Sequence, residues 1–219
     1  MAWVAEDTFE GATDEANLTA WSGGTGWAGA WVNAATNLER SDTATAYDGS
    51  VSARVVSNAG NTFYTRTLSS STTSGVVYVA LSKSSTSAGE NSFSLRSSAG
   101  GRAIVRLTAA GNLQAFGSSG AVNLLAGFTV NTWYVVRITF DTTAGTFTAA
   151  YSTGGYGTGG TFGTESSSIT MFGSGAIDRV GAGGDTGANS WVDYISGTTP
   201  FSGGGGSPTP LLMMMGMGS

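Results

Sequence analysis

The stretch WYVVRITF (Trp133 to Phe140), followed by DTTAG (Asp141 to Gly145) and TFTAAY (Thr146 to Tyr151), decides the fold. Its first segment is almost all β-branched and aromatic, the residue types that suit a pleated surface. The Asp and Gly that bracket the middle segment supply turn chemistry. The last segment returns with alternating character, so the three together predict an antiparallel hairpin. Similar runs lie on either side: Val51 to Val55, Phe63 to Leu68 (FYTRTL), Val76 to Leu81 (VVYVAL), Phe93 with Leu95, Arg102 to Leu107 (RAIVRL), Leu113 to Phe116, Ile177 to Val180, and Trp191 to Ser196 (WVDYIS). VVYVAL is apolar on both faces and predicts a central strand. A helical stripe is absent; Ala12 to Leu18 supports one or two turns at most, with Thr13 as N-cap. About ten or eleven short strands with turn signals between them predict an all-β, two-sheet antiparallel sandwich whose outward faces are Ser and Thr.

Composition narrows the chemistry. The chain has 219 residues with 35 Gly, 3 Pro, no Cys and no His. Charged residues make up 11%, against a usual value of roughly 25%. Without Cys there is neither a disulfide framework nor a thiol nucleophile. Without His there is no imidazole base, Ser-His-Asp triad or HExxH zinc helix. Nine basic against 14 acidic residues, for a net charge of −5, argue against a nucleic-acid surface. The opening MAWVAEDTFEG has no basic-then-apolar leader pattern, so no signal peptide is expected. Ala121 to Val130, the longest apolar candidate, is broken by Asn123 and Gly127 and falls short of a membrane span.

Three parts are expected along the chain. Residues 1–202 form the sandwich, residues 203–210 a Gly/Pro linker within SGGGGSPTP, and residues 211–219 (LLMMMGMGS) an apolar tail. Leu211, Leu212, Met213, Met214, Met215 and Met217 form a flexible C-terminal peptide suited to docking on another protein subunit, because Met adapts to irregular grooves.

The order of motifs, from DTFEG through YDGSVSARV and the paired GNL turn to WYVVRITFD and the closing WVDYIS, resembles the laminin-G-like and concanavalin-A-like jelly rolls over roughly residues 6–200. The resemblance implies a jelly roll whose first and last strands lie together, bringing Thr8-Phe9-Glu10 near Val192-Asp193-Tyr194. Members of this fold bind sugars, act as glycanases or lyases, mediate adhesion or serve as structural modules. The retaining glucanases among them carry two carboxylates in an E-x-D-x-x-E strand pattern that this sequence lacks. The carboxylates of EDTFEGATDE (Glu6 to Glu15) fit a solvated acidic terminus instead.

Candidate sites remain. Trp21, Trp27 and Trp31 in WSGGTGWAGAW offer rings for glycan or partner contact, or cover one end of the core. Tyr156 marks the tip of the GGYGTGG loop, whose Gly155, Gly157 and Gly160 mimic a dinucleotide fingerprint without the βαβ context. Asp7 and Asp193 form a possible calcium site if the terminal strands pair, with Asp178, Asp185 and Asn189 on the approach; the other reading is ordinary turn hydrogen bonding. Asn17-Leu18-Thr19 matches a glycosylation acceptor. Calcium is thus the one cofactor under consideration. Together these features, and analogy with virion proteins of this fold, lead to an expectation of a non-enzymatic structural and binding protein. Its expected place is a bacteriophage virion, as a capsid decoration or tail-associated component. It would be homo-oligomeric, held in a capsid or tail by its C-terminal peptide, and able to bind surface polysaccharide. The alternatives are a calcium-stabilised carbohydrate-binding or adhesion module, extracellular or at a bacterial cell surface, and a degenerate glycanase-like protein.

Overall fold

A computed structural model describes residues 3–13, 18–32, 39–55, 62–86, 89–184 and 189–201. The hairpin is present: β9 (Tyr134–Asp141) pairs with β10 (Thr146–Ser152), setting Phe147 opposite Phe140 and Tyr151 opposite Val136. Asp141 Oδ1 accepts the amides of Thr143 (2.8 Å) and Ala144 (3.1 Å), which folds the turn. Gly145 completes it with φ of 68°, a conformation that a side chain would strain.

Around the hairpin stand β1 (Glu39–Asp42), β2 (Ser52–Val55), β4 (Ser74–Lys83), β11 (Ile169–Thr170) and β13 (Ser190–Ser196). They form a seven-stranded sheet in the order β1-β2-β13-β4-β9-β10-β11. The second sheet has six strands: β3 (Thr62–Thr72), β12 (Ile177–Gly184), β5 (Asn91–Ser97), β6 (Gly100–Leu107), β7 (Asn112–Gly117) and β8 (Gly120–Ala126), in the order β3-β12-β5-β6-β7-β8. The strand pairs are antiparallel, and the fold is an all-β sandwich of two sheets.

Period-two alternation explains the core. Val77, Val79 and Leu81 of β4 and Val136, Ile138 and Phe140 of β9 join one buried cluster with Phe93, Leu95, Val105, Leu107 and Leu113 from the other sheet. Three strands go beyond the sequence expectation: β1, β8 and β11. β8 begins one residue before the stretch Ala121 to Val130 and is half-exposed along its length as an edge strand. It therefore lacks a clean inside/outside pattern. Near the expected helical turns, the described residues hold a 3-10 turn at Leu18–Ala20. Residues 14–17, including Asn17, lie outside the described residues, as do the linker and the tail.

The N-terminal segment ties the two sheets together. Asp7 exchanges backbone hydrogen bonds with Ile195 near the end of β13 (2.8 and 2.9 Å), so the terminal segments do meet. Farther on, Ala28 and Val32 donate their amides to Thr67 (2.9 Å) and Thr65 (2.8 Å) of β3. Between these attachments Asp7 and Arg66, both 0% exposed, form an ion pair inside the sandwich. Asp7 also accepts the Phe9 amide (3.0 Å) and the indole N–H groups of Trp21 (3.1 Å) and Trp31 (3.2 Å). Arg66 donates to the carbonyls of Gly29 (2.9 Å) and Gly23 (2.6 Å), and its guanidinium lies 4.7 Å from the Trp27 ring centre. Gly26 is needed for the close approach: its φ is 77°, and a side chain there would run into the Val4 backbone.

Both ions are thus saturated with partners, the condition under which a buried pair is tolerated. Arg66→Met leaves the Asp7 carboxylate buried without its cation. Urea unfolding should show a loss of about 3–5 kcal/mol, whereas Asp7→Asn combined with Arg66→Met should recover part of that loss.

Candidate functional site

The tryptophan cluster proves to be the packing around the Asp7–Arg66 pair. Trp31 is 2% exposed and stacks on Phe9 at 6.1 Å, so it has no face to offer a ligand. This corrects the expectation of a glycan or partner contact at that residue. Trp21 and Trp27 are half-buried, and both indole N–H groups are engaged, Trp27 donating to the Glu6 carbonyl at 2.9 Å.

The carboxylates proposed for calcium are also engaged by donors. Asp7 faces a guanidinium and three N–H groups, as described above. Asp193 Oδ2 accepts the amides of Tyr47 (2.9 Å) and Asp48 (3.1 Å), and Oδ1 accepts the amide of Tyr194 (2.7 Å). That donor set stabilises an anion and offers a cation nothing. Asp178 sits on the six-stranded sheet, bound to Arg179 and the Ser98 amide, whereas Asp193 belongs to the seven-stranded one. The Asn189 amide donates to Ser84 Oγ (3.0 Å), and Asp185 lies outside the described residues. Among the described residues no group of three or more carboxylates gathers in a metal-binding arrangement. The two aspartates therefore act as structural acceptors, which corrects their pairing as calcium ligands.

An aromatic surface stands where Ser and Thr were expected. Val192 and Ile195 of β13 point into the core. Between them the register to β4 shifts, and Tyr194 adopts φ of 51°, uncommon for a bulky residue. The bulge places both Asp193 and Tyr194 on the outer side of the seven-stranded sheet. Asp193 then pins residues 47–48 over the strand through the two amides already described. Tyr47 packs against Trp133 (6.0 Å between ring centres), Tyr156 (6.2 Å) and Tyr194 (6.2 Å), and Tyr156 lies 5.4 Å from Tyr194.

The loop after β10 is fixed to this cluster. Tyr47 Oη donates to the Gly154 carbonyl (3.0 Å), and the Gly157 amide donates to the Pro200 carbonyl (2.8 Å). Tyr156, at its tip, remains 42% exposed. Gly155, Gly157 and Gly160 belong to this loop, and no helix follows them. Beside it Tyr78, Phe162 and Phe201 form a second aromatic group (5.6 and 5.3 Å). Arg137 lies over Phe162 at 4.9 Å and is paired with Glu165 at 3.2 Å. Ser152, Thr153, Gly154, Gly160, Thr161 and Phe162 line much of an open cleft of ≈ 420 Å³ at the foot of the loop.

The local field is negative. Burial, then repulsion from Glu10 and Glu6, pushes the Asp48 carboxyl up to about 6, against a smaller lowering by the Gly49 amide. Burial likewise holds Asp193 well above the usual carboxylate range, despite the three amides it accepts. Glu10 is committed to the amides of Ser50 (2.8 Å) and Val51 (2.9 Å). The arrangement offers flat rings flanked by hydroxyls, carbonyls and one titratable carboxyl, a surface for stacking and hydrogen bonding. Of its residues the sequence pointed to Tyr156 alone. Tyr47 and Tyr194 lie in YDGS and WVDYIS, segments whose resemblance was structural, and their convergence depends on the bulge.

No protein-family model matches the sequence, and no curated protein sequence matches it. Among solved structures the chain is similar to a sialidase, with 11% identity and a TM-score of 0.55; the match covers 76% of this chain and 16% of that one. It is also similar to the carbohydrate-binding module CBM66 from Bacillus subtilis (10% identity, TM-score 0.44, covering 75% of this chain and 92% of that one). A third similar structure is lectin II from Ulex europaeus (11% identity, TM-score 0.41, covering 76% of this chain and 94% of that one). The sialidase match establishes likeness of fold, and this chain spans about one sixth of that protein's length.

A carboxyl whose folded-state pKa is raised adds stability below its unfolded value and loses that contribution as pH rises through the folded value. For Asp48 the window runs from about pH 4 to somewhat above pH 6. Asp48→Asn should therefore melt higher than wild type at pH 7.5 and gain nothing at pH 4, as thermal melts across that range will show.

Proposed function

We propose that the protein is a non-enzymatic glycan-binding β-sandwich whose contact surface is the outer face of the seven-stranded sheet around Tyr156. The observation that carries this reading is the aromatic shelf itself. Tyr156 is 42% exposed and is backed by Tyr47, Tyr194 and Trp133, whose own rings and hydrogen bonds hold it in place. A preorganised ring loses little freedom on binding, which favours stacking against the face of a sugar. The adjacent cleft supplies Ser152, Thr153 and Thr161 hydroxyls and backbone carbonyls for the hydroxyls of a neutral glycan. The absence of His and Cys from the sequence, and the burial of Asp7 and Asp193 beneath N–H donors, support binding rather than turnover.

The setting we infer is a phage virion, as a capsid decoration or tail-associated subunit with polysaccharide as its outward ligand. Its support is the apolar sequence of residues 211–219 after a Gly/Pro linker. An extracellular or cell-surface adhesion module is the alternative setting. Shortening the chain at residue 202 should leave the melting temperature unchanged and abolish incorporation into particles. Normal incorporation of the shortened chain would overturn the docking role. On a glycan array, wild type should bind at least one neutral glycan. Tyr156→Ala should lose roughly tenfold in affinity or more, the value of about one well-placed stacking contact, with an unchanged melting temperature. Equal binding by the variant would remove the shelf as the site.

A further inference from the structure

The other sheet carries a charge that its own fold does not balance. Arg102, at the start of β6, is 6% exposed, and its Nη1 donates to the Phe172 carbonyl at 2.8 Å. No carboxylate among the described residues pairs with it, and its buried Nε has no hydrogen-bond partner. Buried guanidinium groups ordinarily have a counter-ion, because desolvating an unpaired charge is costly.

A second basic group stands on the same sheet, on the neighbouring strands β5 and β12. The register between β5 and β6 shifts at Leu95/Arg96, where Arg96 stands opposite Gly101; its Nη1 lies 3.6 Å from where a Gly101 side chain would begin. Arg96 is also directly opposite Arg179 of β12, and like charges so placed repel. Burial, with Arg179 beside it, pushes the Arg96 guanidinium's pKa down. Asp178 answers part of this charge, holding Arg179 Nε at 2.8 Å and accepting the Ser98 amide at 3.1 Å.

Against Arg102 lies the exposed turn Gly173-Ser174-Gly175, between β11 and β12. Gly173 has φ of 68°, and a side chain there would strike Nη1; one on Gly175 would begin 3.3 Å from Nη2. The guanidinium thus packs directly against the backbone of this turn, Nη1 against Gly173 and Nη2 against Gly175, and the amides of the turn have no acceptor among the described residues. Consecutive free amides next to a guanidinium make a site for negative oxygen.

The geometry points to an oxyanion site, in which a carboxylate or sulfate group binds at the Nη2 side of Arg102 against the amides of Gly173 to Gly175. The same chemistry is presented by a free inorganic anion and by the uronate or sulfate substituents of an acidic glycan. The site is on a different sheet from the Tyr156 shelf and does not depend on it.

The test is a nitrogen-15 NMR titration of the full chain. Sodium sulfate is compared with sodium chloride at matched ionic strength, and a galacturonate tetramer with a galactose tetramer. Saturable shifts are expected at the Gly173, Ser174 and Gly175 amides and at the Arg102 Nε–H, in sulfate and galacturonate only. Arg102→Gln should abolish them, and Arg102→Lys, which keeps the charge but loses the two-pronged guanidinium, should weaken binding. If Arg102→Gln fails to fold, the comparison of wild type with Arg102→Lys decides. Galacturonate binding at least tenfold tighter than sulfate assigns the site to acidic glycans; equal affinities assign it to a free anion. Shifts that never saturate, that spread over all basic residues, or that Arg102→Lys leaves unchanged would overturn the site.

Discussion

The ion pair between Asp7 and Arg66 is the contact on which the rest of the molecule depends. A carboxylate and a guanidinium enclosed between two sheets are tolerable only when their hydrogen-bonding capacity is met. Meeting it here draws in the indoles of Trp21 and Trp31, the Phe9 amide and the carbonyls of Gly23 and Gly29. Those partners are spread over the N-terminal segment, so one pair fixes the path of residues 7–13 and 18–29. The segment in turn bonds to both sheets, which makes a charge-centred knot the clasp of an otherwise apolar sandwich.

A second buried carboxylate does for the outer aromatic face what Asp7 does for the N-terminus. Asp193 gathers the amides of Tyr47, Asp48 and Tyr194, and the rings follow the backbone. Both anchors converge on the same strand, since Asp7 pairs with Ile195 two residues beyond Asp193. The bulge at Tyr194 is the device that lets β13 serve both. It turns Tyr194 outward while returning Ile195 to the core.

Much of this fold was legible because the central strands alternate cleanly or are apolar throughout. WYVVRITF and VVYVAL became β9 and β4, side by side in the middle of one sheet. β8 was not legible: at an edge, residues such as Leu124 and Leu125 are partly exposed on both sides, and the period disappears. The site was less legible than the fold. Tyr47, Trp133 and Tyr194 are far apart in the chain and join through backbone amides, which leave no pattern in side-chain chemistry. The three tryptophans were legible only as two alternatives, contact surface or cover for the core, and Trp31 takes the second. Gly-rich surroundings suggest exposure, but here the glycines let indoles and backbone crowd around a buried charge.

The clasp at Asp7 also imposes an order in time. Its carboxylate can meet Arg66 early in synthesis, but its backbone partner is Ile195, close to the far end of the sandwich. Contacts so distant in sequence close late in folding. A nascent chain can therefore hold its acidic, tryptophan-rich segment on β3 but not on the other sheet until the last strand arrives. Damage to that strand would be felt first around Asp7, whose segment would keep its hold on β3 and lose its seat on the other sheet.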